Sequence, residues 1–216
     1  MEGCNVMGFF IVREIAGRPS PEKRYMTDPR KLVKECLQGS PAAQGELYDQ
    51  YAGQMLGVCY RYTKSQEDAE DVLQEGFINV FRHLGRFRFE GELGAWIRRI
   101  MVNTALNYLK KNRHYQQELA FEDDAMHPVV TDHPEVKLGA KELADLIRQL
   151  PTGYQAILNL HAVEGYSHVE IGRMLGIHEG TSRSQYARAR ALLITWIRAD
   201  RPRLTNRYGT PATRSE

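Results

Sequence analysis

Residues 167–193, SHVEIGRMLGIHEGTSRSQYARARALL, constrain this chain more than any other stretch, because they fit two helices joined by a tight turn. Ser167, with Glu170 three residues on, has the form of a capping box opening the first helix, and Gly176 closes it. At about 100° per residue, Ser182, Tyr186, Ala189 and Leu193 share one narrow face of the second helix. Arg183, Ser184, Ala187, Arg188 and Arg190 fill the arc facing away. One face packs and the other is open. This is the pattern of a helix-turn-helix, and three arginines on the open arc point to duplex DNA.

The rest of the chain is also helical in its periodicity, and no stretch alternates as a strand for more than a few residues. Leu32, Val33, Cys36 and Leu37 make a short amphipathic helix that stops near Gly39, Ser40 and Pro41. A second helix is expected over 42–63, with a core stripe of Leu47, Tyr48, Tyr51, Met55, Leu56, Cys59 and Tyr60. Ser65 is placed to cap a third, whose first turns carry Glu67, Asp68, Glu70 and Asp71 where the helix dipole favours anions. Its inward face is Ala69, Val72, Leu73, Phe77, Val80 and Phe81.

A connection rich in Arg, Gly and Phe, residues 85–94, leads to a helix expected over 95–111. Trp96, Ile97, Ile100, Ala105 and Leu109 turn inward there, and Arg99, Asn103, Asn107 and Lys110 form a polar line at i, i+4, i+8 and i+11. That line is a second candidate DNA face. In the last third, Leu143, Leu146, Ile147, Leu150, Tyr154, Ile157, Leu158 and Leu160 supply a further core, and Pro151 begins a new helix.

A chain of 216 residues holds one large domain or two small ones, and the charge pattern favours two. The net charge of +2 conceals a sorted sequence: −5 over 46–75, +6 over 82–113, −6 over 114–135 and +5 over 179–207. Two basic surfaces separated by an acidic tether suit two contacts on one long polyanion. The fold class is therefore all-α, with two small helical domains joined by an acidic flexible linker and the helix-turn-helix in the second. The expected divisions are an extension over 1–27, a first domain over 28–113, the linker over 114–135, a second domain over 136–200 and a disordered tail over 201–216. Residues 1–25 read either as a flexible extension or as a start-codon artefact.

Three cysteines, Cys4, Cys36 and Cys59, are scattered without CxxC spacing, and an odd number argues against a disulfide framework. A reducing cytoplasm is the simplest home. The apolar run at 6–12 is too short to span a bilayer and charged residues flank it, so no membrane insertion is expected. The histidines show no HExxH or Cys-His spacing, and no GxSxG elbow or GxxxxGK loop occurs. Neither an enzyme, nor a metal, nor a cofactor is expected.

Laid out together, EDAEDVLQEGFINVF (67–81), AWIRRIMVNTALNYLKKNR (95–113) and the helix-turn-helix with the helix before it (150–193) resemble the extracytoplasmic-function group of the sigma-70 family. These are the compact two-domain initiation subunits of bacterial RNA polymerase. The resemblance covers about residues 32–196. It implies that 28–113 corresponds to sigma region 2 and 136–200 to sigma region 4, docking on the clamp and flap of core polymerase. Asp68, Asp71, Gln74 and Glu75 would dock on the clamp, around Leu73 as an apolar anchor. The same residues also read simply as a well-capped, solvated helix start.

By the same resemblance, Arg88, Phe89, Arg99, Asn103, Asn107 and Lys110 would meet the promoter around −10, where cations, amides and an aromatic surface suit an unstacked base. Phe87, Phe89 and Trp96 also read as ordinary core, Trp96 above all. Thr181, Arg183, Ser184, Gln185, Arg188 and Arg190 would lie at the −35 element, with Arg183 and Arg188 as the leading readers. Arg190 is read as a phosphate contact or a solvated charge. An anti-sigma factor is an implied partner beside core polymerase and promoter DNA. The chain departs from the family pattern at His178, where Ser or Thr is usual, at Ser182, where an aliphatic residue is usual, and at Ala187, which removes a bulky reader. The competing reading is a helix-turn-helix repressor or activator that never binds polymerase; it leaves the acidic helix and the basic 82–113 segment without a purpose.

Overall fold

The computed structural model describes residues 28–111 and 140–199. The expected extension, linker and tail lie outside the described residues, as does the expected start of the second domain at 136. The chain divides into two compact units, Met1–Lys111 and Asn112–Glu216, and among the described residues every regular element is helical.

The first unit contains α1 (Pro29–Leu37), α2 (Pro41–Tyr60), α3 (Gln66–His83), a 3₁₀ turn (Leu84–Arg86) and α4 (Leu93–Lys111). Each of the first three helices begins at a side-chain cap. Asp28 accepts from the Arg30 amide at 3.0 Å, Ser40 from Ala43 at 3.4 Å and Ser65 from Asp68 at 3.0 Å. Helix α2 stops at Tyr60, short of the expected 63, because the Arg61 and Tyr62 amides turn back to Val58 and Cys59 and the Thr63 hydroxyl donates to the Cys59 carbonyl at 3.3 Å.

The core of this unit follows the periodicity on α3, where Ala69, Val72, Leu73, Phe77, Val80 and Phe81 are all buried. From α2 the buried residues are Ala43, Gln44, Leu47, Met55, Val58 and Cys59, joined by Tyr62; Tyr48, Tyr51, Leu56 and Tyr60 sit at the half-buried edge. Helix α4 contributes Ile97, Met101, Val102, Ala105, Leu106 and Leu109, while Trp96 and Ile100 are half-buried. Helices α3 and α4 come close at Gly76, where a Cβ would lie 2.2 Å from the sulfur of buried Met101. The Asn79 amide donates to the Thr104 hydroxyl at 3.3 Å across the same seam.

The second unit contains α5 (Ala140–Gln149), α6 (Thr152–Leu158), a π turn (Asn159–Val163), α7 (His168–Leu175) and α8 (Glu179–Ala199). Pro151 stands at the N-cap of α6, so the chain breaks there as its missing N–H requires. Leu146, Ile147, Leu150, Tyr154, Leu158, Ala189 and Leu193 form one cluster, edged by Tyr186, Leu192, Trp196 and Ile197. Leu143, expected in this core, is instead 39% exposed: it shares the face of Leu146, Ile147 and Leu150 but lies one turn earlier on α5, outside the buried cluster that begins at Leu146. Among the described residues no helix is long and apolar enough to cross a membrane.

Candidate nucleic-acid interface

The helix-turn-helix is α7, a tight turn and α8. Its capping box is complete: Ser167 Oγ accepts from the Glu170 amide at 3.3 Å, and the Ser167 amide donates to Glu170 Oε2 at 2.9 Å. Gly176 ends α7 at φ +74°, a left-handed conformation that costs a side chain and suits glycine. Within α7, a Cβ at Gly172 would lie 2.8 Å from the Ile177 carbonyl, so the turn backbone crosses where only glycine leaves room.

Two of the departures from the family pattern are compensated locally. His178 Nδ1 accepts the Gly180 amide at 3.1 Å, so the imidazole does at the start of α8 what a Ser or Thr hydroxyl does elsewhere. Ser182 is 0% exposed, and its hydroxyl lies 2.9 Å from His168 Nδ1, which joins the two helices through a satisfied polar pair. The His168 ring stacks on His161 with centroids 4.2 Å apart, and Tyr186 meets His161 edge-on at 4.6 Å. His161 Nδ1 lies 2.8 Å from the Tyr166 carbonyl, which can only accept, so that nitrogen carries the hydrogen. Burial, the neighbouring His161 ring and the Arg183 charge hold the His168 imidazole below its ordinary value.

On α8, Arg183, Ser184, Ala187 and Arg190 are exposed and Thr181 and Arg188 are half-buried. Arg183 pairs with Glu179, the Ser184 hydroxyl donates to the Thr181 carbonyl at 3.0 Å, and the Arg190 guanidinium lies 5.9 Å from the Tyr186 ring centroid. Gln185 departs from expectation, because it is 2% exposed and turned away from the open arc. It sits at i+3 from Ser182 and i−4 from Ala189, both fully buried, so the helical spacing carried the signal that its polarity concealed.

On α4, Arg99, Asn103, Asn107 and Lys110 are all exposed along one line. The preceding loop is aromatic. Phe89 takes φ +58°, the sole positive value on a non-glycine residue among the described residues, and its ring lies 4.7 Å from Phe87, which in turn lies 5.4 Å from Trp96. Arg30 of α1 places its guanidinium 4.9 Å from the Phe89 ring centroid, a neighbour that no local sequence signal announces. Arg88 projects into solvent between the two phenylalanines.

On the acidic helix α3, Asp71, Gln74 and Glu75 are exposed and Asp68 is half-buried. The Tyr108 hydroxyl of α4, followed by Ser65, holds the Asp68 carboxyl below the usual carboxylate range. Burial, and then Asp68 itself, push Tyr108 up to about 12. Lys111 Nζ lies 3.6 Å from Glu75 at the other end of the same face. Leu73, expected as the apolar anchor of this face, is 5% exposed and packed in the core, so the surface there is polar.

Residues 47–115 match the family model of Sigma-70 region 2, and residues 140–193 match that of Sigma-70, region 4. The chain is 34% identical over 179 residues to the ECF RNA polymerase sigma-E factor of Haemophilus influenzae, a match covering 78% of this chain and 94% of that protein. It is 31% identical over 174 residues to the RNA polymerase sigma-H factor of Pseudomonas aeruginosa, covering 74% and 89%. A solved structure of the sigma factor RpoE in complex with the anti-sigma factor NepR, from Bartonella quintana, matches 73% of this chain and 98% of that one at 19% identity, with a TM-score of 0.46.

Proposed function

The chain belongs to the extracytoplasmic-function group of the sigma-70 family, and from that premise we propose how its two units divide the work of an RNA polymerase sigma factor. It binds core polymerase, recognises promoter DNA at two elements and initiates transcription. Its work is done where polymerase acts, in the cytoplasm, and it performs no chemistry of its own.

The first unit docks on the polymerase clamp through Asp68, Asp71, Gln74 and Glu75. Exposed carboxylates of one sign give fast, oriented association with a basic partner. The same unit meets the −10 element with Arg99, Asn103, Asn107 and Lys110 and with the loop of Arg88 and Phe89. Guanidinium and ammonium groups neutralise phosphate, amides reach base edges, and an aromatic ring offers a stacking surface to an unstacked base. Because Tyr108 bonds Asp68, the docking helix and the −10 helix are tied to each other at that point.

The second unit docks on the polymerase flap and lays α8 in the major groove at −35. There Arg183 and Arg188 are the base readers, Ser184 and Thr181 support them, and Arg190 neutralises a phosphate. An anti-sigma factor that covers these docking faces is the partner through which such a chain would be held inactive.

The observation that carries this reading is the coexistence, in one chain and in order, of the two family matches with two exposed cationic helix faces. A repressor needs only one of them. Co-purification with core polymerase tests it. The intact chain is captured, and Asp71→Lys with Glu75→Lys abolishes capture while leaving duplex binding in place. An intact chain that binds duplex DNA and never core would overturn the reading.

A further inference from the structure

Glu179 and Arg183 stand four residues apart at the start of α8, and one carboxylate oxygen grips the guanidinium. Arg183 Nε donates to Glu179 Oε1 at 3.0 Å, and Nη2 donates to the same oxygen. The pair is open to water, with the Arg183 side chain 65% exposed and that of Glu179 35%. An ion pair of this exposure and spacing adds little to stability. An anion on a DNA-facing helix also repels phosphate, so its presence there has a cost in affinity that calls for a compensating role.

The geometry supplies one. A guanidinium offers two forks of parallel N–H groups, a side edge made by Nε and Nη2 and an end edge made by Nη1 and Nη2. Glu179 takes the side edge. What remains is the end edge, whose two N–H groups match the O6 and N7 acceptors that guanine presents in the major groove. The Arg183 hydrogen bond also holds the Glu179 carboxyl below its usual range, so the carboxylate is fully charged at neutral pH. His168 of α7 is the titratable group on another element whose charge bears on Glu179, and His178 is engaged with the Gly180 amide.

We propose that Glu179 is a positioning residue for base readout: it grips Arg183 by the side edge and presents the end edge to a single guanine of the upstream element. This rests on the reading above that Arg183 contacts a base. An unrestrained arginine must order its long side chain on binding, and prior restraint is worth about three- to tenfold in discrimination.

The test is selection of a duplex pool, randomised across the upstream segment, by the full-length chain assembled with core polymerase. Sequencing the bound fraction gives the base preference at each position. Arg183→Ala erases a guanine preference at one position. Glu179→Ala lowers the preference at that same position about three- to tenfold and at no other, while affinity for a mixed-sequence duplex is unchanged or rises, because an anion has been removed. Glu179→Gln, which keeps an acceptor oxygen, restores most of the preference. A Glu179→Ala protein with wild-type preference overturns the proposal. So does one that loses preference and mixed-sequence affinity together, since that marks a disturbed helix. If Arg183→Ala keeps every preference, the reading of Arg183 itself fails and the proposal falls with it.

Discussion

The buried hydroxyl of Ser182 lies 2.9 Å from Nδ1 of His168, so the two helices of the DNA-binding motif are joined by a polar pair at the point where the family pattern has an aliphatic contact. Removing the serine hydroxyl leaves the half-buried His168 nitrogen without its bond. Ser182→Ala is expected to cost about 1–2 kcal/mol, read as a lower urea midpoint of the full chain. In a double-mutant cycle with His168→Ala, the double variant should lose less than the sum of the two single losses.

The same histidine is expected to make this chain acid-sensitive. His168 binds its proton more weakly folded than unfolded, because burial, the His161 ring and Arg183 oppose the imidazolium. The folded state therefore keeps its full stability above the unfolded histidine pKa of about 6.5 and loses some as pH falls through and below it. Urea midpoints at pH 7.5 and 5.5 should differ more in the wild type than in His168→Gln, which keeps a polar partner for Ser182 but does not titrate.

On the first unit the titrating group is the Asp68 carboxylate. The Tyr108 hydroxyl holds Asp68 low, so the bond contributes above the unfolded Asp pKa of about 3.9 and is lost as pH falls through the folded value. Tyr108→Phe should raise the Asp68 pKa, followed by carboxyl NMR titration, and cost about 1 kcal/mol at neutral pH. Capture by core polymerase should weaken with it, because Asp68 is then no longer held on the docking face.

Two glycines of the turn fail for different reasons. At Gly172 the new Cβ meets backbone, the Ile177 carbonyl at 2.8 Å, so Gly172→Ala must shift the turn and is expected to cost about 1–3 kcal/mol. At Gly176 there is open space but φ is +74°, so Gly176→Ala costs about 1 kcal/mol of backbone strain. Urea unfolding ranks the two, and a larger loss at Gly176 would contradict the crowding argument.

The helices and most of their inward faces were legible in the sequence, because hydrophobic period and caps act locally: Ser65, Ser167 with Glu170, and the six apolar positions of α3 all sit where the spacing puts them. What local pattern cannot supply is the partner. Leu73 belongs to a stripe and the stripe is covered, so Leu73 is not left as an apolar anchor for docking. Gln185 is buried because Ser182 and Ala189 flank it on the packing row, against the bias that a polar side chain points outward. Arg30 beside Phe89, and Tyr108 beside Asp68, join segments distant in sequence, and only the packed unit brings them together. The Gly180 amide at His178 shows the reverse case, a cap hidden in a residue type that rarely serves as one.

Promoter-directed initiation by this chain is read out by transcription from sheared genomic DNA of the host organism by core polymerase with and without the chain, with 5′ ends mapped. A small set of discrete start sites should appear only with the chain, disappear with Asp71→Lys and Glu75→Lys, and weaken with Arg183→Ala. Duplex binding by the chain with no new start sites would contradict promoter-directed initiation, and would leave the basic faces to a protein that binds promoters without opening them.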